Sequence, residues 1–244
     1  MMLPPGFQSS GDHISTELEP GAQALFTTRR GGFSDGPYAS LNLGRWTDDD
    51  RETVERNRAR IESQVGVPLT YTRQAHGARV LRVTAPHDGA PVEGDGQATA
   101  TKGIAPAALV ADCLPIAVAG DGAVAMLHAG WRGLADGVLQ EGIRALRELG
   151  AGGQLTAAIG PGAGSCCYEV GPEVHAVFAQ SFPQARRGSN LDLKAIARAQ
   201  LERAGVETVR DVGLCTICSP PELFYSHRRD RGVTGRQAGI AWLS

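Results

Sequence analysis

No basic stripe runs through this chain, and its formal net charge at pH 7 is −2. Nucleic acid is therefore a poor partner. No uninterrupted apolar run is long enough to cross a bilayer: the longest, residues 104–120, is broken by Pro106, Asp112, Cys113 and Pro115. Residues 1–11 offer neither a basic n-region nor an apolar h-region, so no secretory signal is expected. Internal repeats and low-complexity linkers are absent, so one domain over residues 1–244 is expected although the length permits two. Five cysteines is an odd number in a chain this long. It points to a reducing cytoplasm, with cysteine as core filler, ligand or nucleophile. Apolar content of 42% and charged content of 20% are those of an ordinary globular protein.

The organising stretch is Met126-Leu127-His128-Ala129-Gly130-Trp131-Arg132-Gly133. An apolar run over 122–127 delivers His128 to a strand end, a glycine corner follows, and a helical pattern begins at Leu134 and ends at Gly150. Such a corner holds an imidazole at a cleft edge, with backbone N–H groups facing the same way. His76, in Arg73-Gln74-Ala75-His76-Gly77, lies between strand-like stretches 69–72 and 79–84 and needs a partner before it counts. Asp112-Cys113 interrupts two apolar strand runs, 107–111 and 116–119. That interruption is costly unless both groups find partners.

Elsewhere, strands are expected at 23–28, 154–159 and 208–214, and helices at 48–65, 172–180 and 191–204, with a last strand at the C-terminal end. Residues 93–98 read as a turn with two carboxylates and no calcium-loop spacing. A glycine-rich turn follows Arg29-Arg30; it is either a plain loop or an anion site with arginine donors. The vicinal Cys166-Cys167 pair reads as packing, His175 as structural or exposed, and Cys215-x-x-Cys218, without a second pair, as filler.

Taken in order, TRRGGFSDGPYASLNLG, QAHG, ADCLP, LHAGWRG, IGPGAGSCCYEVG, LDL and CTIC…FYSHRRDRGVTGR make the chain resemble, from about 26 to 236, the bacterial YfiH-like laccase-domain family. That family is regarded as purine nucleoside phosphorylase-like and is also called polyphenol oxidase or peptidoglycan editing factor. The resemblance implies an α+β fold of mixed sheets flanked by helices, which the lack of strict β-α alternation permits. It also implies that His76, Cys113 and His128 form the catalytic metal cluster. Two departures are Ala75, where the family has a bulkier residue, and His227, where it has Tyr; His227 is given no catalytic role.

A His₂Cys set suits zinc and leaves a coordination position open. The activity so implied is phosphorolysis of adenosine, inosine, guanosine or methylthioadenosine, together with adenosine deamination. Candidate contacts to nucleoside and phosphate are Arg29, Arg132, Arg228, Arg229, Asn42 and Gln74, with Asp112 as support or base. Three rivals differ in chemistry. A copper polyphenol oxidase would use Met126, two residues before His128, as a weak axial ligand; but six histidines without a His-x-His pair make a multinuclear cluster hard to build. A metal-free hydrolase acting on peptidoglycan precursors would use Cys113 as nucleophile and His76 or His128 as base. The third is a binding domain without turnover.

Overall fold

The structure, a computed structural model, describes residues 2–18, 21–86 and 92–244. Its strands are β1 (Gln8–Ser10), β2 (His13–Glu17), β3 (Ala22–Phe26), β4 (Leu69–Tyr71), β5 (Val80–Arg82), β6 (Gly96–Thr99), β7 (Ala105–Val110), β8 (Leu114–Asp121), β9 (Ala123–Ala129), β10 (Gly152–Ile159), β11 (Arg186–Arg187), β12 (Asn190–Leu191), β13 (Val206–Asp211) and β14 (Gln237–Leu243). The helices are α1 (Arg51–Val65), α2 (Trp131–Asp136), α3 (Val138–Glu148), α4 (Pro172–Ala179) and α5 (Leu193–Arg203). One six-stranded sheet has the order β1-β2-β3-β14-β7-β4, and a second has β13-β10-β8-β9-β6-β5. Both are mixed: β4/β7, β5/β6 and β10/β13 are parallel, and the other pairs within them antiparallel. The fold is α+β.

Alternation along the strands sets the layers. In β8, Ile116 and Val118 face α3 and α5 and meet Leu139, Ile143, Leu146, Ile196 and Leu201. Their neighbours Ala117 and Ala119 face the first sheet and meet Ala24, Phe26, Ala108 and Ala241. The outer face of the first sheet, through Leu25, Leu69 and Ile240, packs on Ile61 of α1. Covered on both sides, β8 and β9 are buried along nearly their whole length, which is why they read as continuous apolar runs. Gly142 lets α3 sit close behind β9, since a Cβ there would lie 2.5 Å from Leu127 Cδ1.

Several sequence expectations are corrected. The runs on either side of Asp112-Cys113 are not one interrupted strand: β7 belongs to the first sheet and β8 to the second. Asp112-Cys113 is thus the crossing between sheets, where no ladder is broken. The same holds for β4 and β5, so His76 sits in another such crossing. The helix expected to begin at Leu134 begins at Trp131 and is divided by Gly137 (φ 87°), which ends α2 and opens α3. The helix expected from residue 191 starts at Leu193, after Asp192, whose side chain accepts from Ala195 N. The strand expected at 208–214 is β13, beginning two residues earlier. Residues 96–98, expected in a turn, lie in β6.

Candidate metal centre

Three chain segments reach one edge of the sheets: the end of β9, the crossing from β4 to β5, and the crossing from β7 to β8. Each carries one of the three ligand candidates. The metal-ligating atoms of His76, Cys113 and His128 all lie within 4.8 Å of one another. The two imidazoles meet edge to face, with ring centroids 4.9 Å apart. His128 is buried, Cys113 half-buried and His76 exposed, so the cluster opens to solvent on the His76 side. Gly130 is required here because a Cβ would stand 2.9 Å from Cys113 Sγ and 3.5 Å from His76 Cδ2.

Asp95 fastens two of the three segments together. Its Oδ1 lies 2.8 Å from His128 Nδ1 and accepts from His76 N at 2.8 Å. Its Oδ2 accepts from Ala75 N at 3.1 Å and Gly77 N at 2.8 Å. Its own carbonyl accepts from His128 N at 2.7 Å. With Nδ1 engaged by the carboxylate, His128 keeps Nε2 for a metal, the usual second-sphere arrangement of ligating histidines. The bonds to residues 75–77 also hold His76 in the left-handed region (φ 63°), where a non-glycine residue costs about 1–3 kcal/mol.

Asp112 (φ 91°) carries the same kind of strain next to Cys113. Its carboxylate accepts from Thr216 Oγ1 and Arg228 N, both at 2.7 Å. Both oxygens are thus engaged, and Asp112 acts as an anchor for the crossing.

Burial pushes the Cys113 thiol up, but the His128 charge and hydrogen bonds from His128 and His76 outweigh it and bring it down to about 6. Burial pushes His128 down, yet the Cys113 thiolate and Asp95 raise it to about 9. Desolvation of the Asp95 carboxylate is likewise outweighed, by His128 and the backbone N–H donors, and Asp95 is held below its ordinary range. Without metal this is a thiolate–imidazolium pair. Two imidazoles and a thiolate, braced from behind and open in front, fit a borderline-soft divalent ion with a position left for a ligand.

The cluster forms the floor of a cavity of about 450 Å³, within the range of small-molecule sites. Of the candidate contacts read from the sequence, Gln74, Arg132 and Arg228 line it. Gln74 holds Leu109 through both amide atoms, at 2.8 Å each. Arg132 lies over Trp131, and Arg228 over Tyr168 with a bond to Glu169 O.

Asn42, Arg29 and Arg229 do not line the cavity. Asn42 is buried; its amide donates to Thr47 and Asp49 and accepts from Gly44 N and Arg236 N. Arg29 is stacked on Tyr225 and donates to the carbonyls of Ala39, Pro37 and Pro221. Arg229 is held by Asp230, Thr216 O and Phe224 O. All three brace the walls, their donors being spent on neighbours.

Met126 also lies away from the cavity, packed between the sheets with Ala117 and Phe26. The cavity further receives Trp46, Tyr168, His227 and Arg236, to which sequence reasoning assigns no binding role. Asp95 escapes it too, since one of two carboxylates in a glycine-rich turn gives only weak notice of itself.

Comparison with known proteins gives a consistent result. Residues 23–244 match the family model described as multi-copper polyphenol oxidoreductase laccase. The chain is 43% identical to a purine nucleoside phosphorylase of Xylella fastidiosa, over 92% of this chain and 93% of that one. It is 40% identical to a purine nucleoside phosphorylase of Streptomyces coelicolor, over 91% and 96% respectively. Its structure resembles that of YlmD from Geobacillus stearothermophilus, with a TM-score of 0.91 and 36% identity, covering 98% of this chain and 99% of that one.

Proposed function

The chain belongs to the multi-copper polyphenol oxidoreductase laccase family, and from that membership and the names its relatives carry we propose that it is a single-domain, zinc-dependent purine nucleoside phosphorylase. Its substrates are adenosine, inosine, guanosine or methylthioadenosine with phosphate, and it deaminates adenosine as a side reaction. The observation that carries this reading is the His76–Cys113–His128 cluster, backed by Asp95, at the floor of a cavity with aromatic and arginine walls.

When bound there, zinc supplies Lewis acidity and makes an activated water available near neutral pH. The chain supplies the rest. Trp46, Trp131 and Tyr168 offer flat apolar walls for a purine. Arg132, Arg228 and Arg236 bring positive charge to the same cavity, suited to a phosphate. In phosphorolysis a phosphate oxygen bonds to ribose C1′ as the C1′–N bond breaks and its electron pair leaves with the purine. Arginines that hold phosphate beside C1′ lower that barrier by positioning and by charge.

A cytoplasmic setting keeps the five cysteines as thiols. Among the described residues no helix is long and apolar enough to cross a membrane, and the partners assigned are small molecules, neither nucleic acid nor membrane. Metal analysis paired with product analysis on adenosine, inosine and methylthioadenosine, with and without phosphate, tests the assignment. Zinc at the cluster and phosphate-dependent release of free base are expected; no base and no hypoxanthine from any of them refutes it.

One observation favours a second reading. The Cys113–His128 pair, oriented by Asp95, has the form of a nucleophile, base and orienting acid. That is the metal-free hydrolase, with amides of peptidoglycan precursors as substrates. Chelation separates the two: it abolishes the zinc activity and spares the hydrolase. The copper polyphenol oxidase keeps the family's descriptive name but loses its axial ligand, since Met126 packs between the sheets. Oxygen consumption by copper-loaded protein tests it.

A further inference from the structure

β10 and β13 are parallel neighbours, with Ile159 opposite Asp211, so the loops that follow them leave the sheet side by side. Pairing continues beyond the strands through a bridge between Gly162 and Cys215. The first loop carries Cys166 and Cys167, the second Cys215 and Cys218. All four sulfurs lie within 4.8 Å of one another. Cys166 Sγ is 3.5 Å from Cys218 Sγ and 3.5 Å from Cys167 Sγ. Four thiolates bound to one zinc ion at about 2.3 Å stand roughly 3.8 Å apart, and this cluster has that scale. All four are free cysteines.

Packing, the role expected from sequence, does not account for the cluster. Cys166 and Cys218 are exposed, whereas a cysteine used as a hydrophobe belongs inside. Without a metal, burial pushes the Cys166 and Cys167 thiols up, while Cys215 has the surroundings of a thiolate. Gly164 N donates to Cys215 Sγ at 3.2 Å. Burial pushes the Cys215 thiol up, but N–H groups of Cys218, Gly164 and Ile217 outweigh it and hold the thiol below its ordinary range. A side chain at Gly164 would crowd the cluster, since a Cβ would lie 3.1 Å from both Cys166 Sγ and Cys215 Cβ.

We propose that Cys166, Cys167, Cys215 and Cys218 form a second metal site, a closed tetrahedral zinc centre of four thiolates with a structural role. Four protein ligands leave no open position, so this ion does no chemistry on substrate. It staples the two loops where they support the cavity wall. Tyr168, next to Cys167, lines that cavity. Thr216, next to Cys215, donates to the Asp112 carboxylate beside Cys113.

The test measures zinc per chain in full-length protein purified under reducing conditions. Four forms are compared: wild type, Cys113→Ala, Cys166→Ser with Cys218→Ser, and all three changes together. Two, one, one and no zinc ions are expected. If the double variant does not fold, the Cys113→Ala protein still decides the matter. Stripped and titrated with cobalt(II), it takes up one ion with thiolate-to-metal charge-transfer absorption, and zinc displaces that ion. The idea is overturned if Cys113→Ala protein holds no zinc and shows no such absorption. Zinc that persists unchanged in the Cys166→Ser, Cys218→Ser, Cys113→Ala protein overturns it as well. Failure of the catalytic assignment looks different: wild type and Cys113→Ala would then hold the same single ion.

Discussion

Replacing Asp95 by Asn keeps size and shape while it removes the charge beside His128 and turns one acceptor oxygen into a donor, which makes it the sharpest probe of the centre. Oδ1 takes His128 Nδ1 and His76 N, while Oδ2 takes Ala75 N and Gly77 N. Whichever way the new amide turns, its NH₂ faces a pair of groups that had been donating. Facing the 75–77 turn, it leaves two N–H donors unpaired beside a residue at φ 63°. Facing His128, it can be satisfied only if Nδ1 accepts, which moves the ring proton to Nε2 and removes the lone pair a metal needs. Loss of such an outer partner lowers metal affinity by about 10–100-fold, equal to about 1.4–2.7 kcal/mol. Two half-buried donors left unpaired cost at most about 2–6 kcal/mol of stability, the value for fully buried groups. Competition with a chromophoric chelator reads the first quantity and urea denaturation of the metal-free protein the second. Wild-type zinc affinity together with wild-type stability in Asp95→Asn protein would falsify the reasoning, because neither orientation of the amide can preserve both sets of bonds.

Gly130→Ala places a methyl group 2.9 Å from Cys113 Sγ; overpacking of about 1–3 kcal/mol and at least about a tenfold loss of zinc affinity are expected from calorimetry and chelator competition. Arg228→Ala should raise the KM for phosphate by about 10–100-fold, the worth of a charge-assisted bond, with a smaller fall in melting temperature than Arg29→Ala, since one carbonyl bond and the stacking on Tyr168 are lost. Arg29→Ala should do the reverse, destabilising by about 2–3 kcal/mol through its lost carbonyl bonds and its stacking on Tyr225, and leaving KM alone; steady-state kinetics beside thermal melts separate the two. His13 is held below its ordinary pKa by burial, and its Nδ1 accepts from Thr28 N. Below about pH 6.5 the unfolded chain therefore takes up a proton that the folded chain refuses, so stability falls as pH drops from there towards the folded-state pKa. His13→Asn should flatten that part of the acid slope in urea melts across about pH 5 to 7; an unchanged slope refutes the assignment.

How far the sequence can be read depends on whether a signal is local. Helix α1 is legible in type and in its end, where Gly66 closes it at φ 83°; it starts at Arg51, three residues after the expected 48, because the Asp50 carboxylate accepts from Thr53 N and caps it there. The apolar strands β8 and β9 are legible because their signal, too, is local. What cannot be read is which sheet each strand joins. A break in an apolar run looks alike whether it interrupts a strand or carries the chain between layers, so the crossing at Asp112-Cys113 looks like a defect. The three proposed ligands come from the order of family motifs, with spacing contributing little. Asn42 and Arg29 carry residue types suited to binding, and only three-dimensional accounting shows that their donors serve structural neighbours. Cys166-Cys167 and Cys215-x-x-Cys218 fail as separate motifs because each is half of a cluster whose other half is about fifty residues away.

The same topology explains why chemistry collects at this edge. A residue in a crossing between sheets is free of the ladder and can adopt a strained backbone, as His76 and Asp112 do. Strain persists only where surrounding bonds over-determine the conformation, and here each strained residue has its own clamp. Asp95, just before β6, clamps the first; Thr216, after β13, and Arg228, before β14, clamp the second. Cys113 is therefore positioned by segments about a hundred residues further along the chain. The proposed four-thiolate centre lies within one of those segments, and its zinc would fix Thr216 through Cys215. Stability of the distant loop and geometry of the Cys113 thiolate are thus one mechanical problem, and disturbing either proposed ion should be felt at the other.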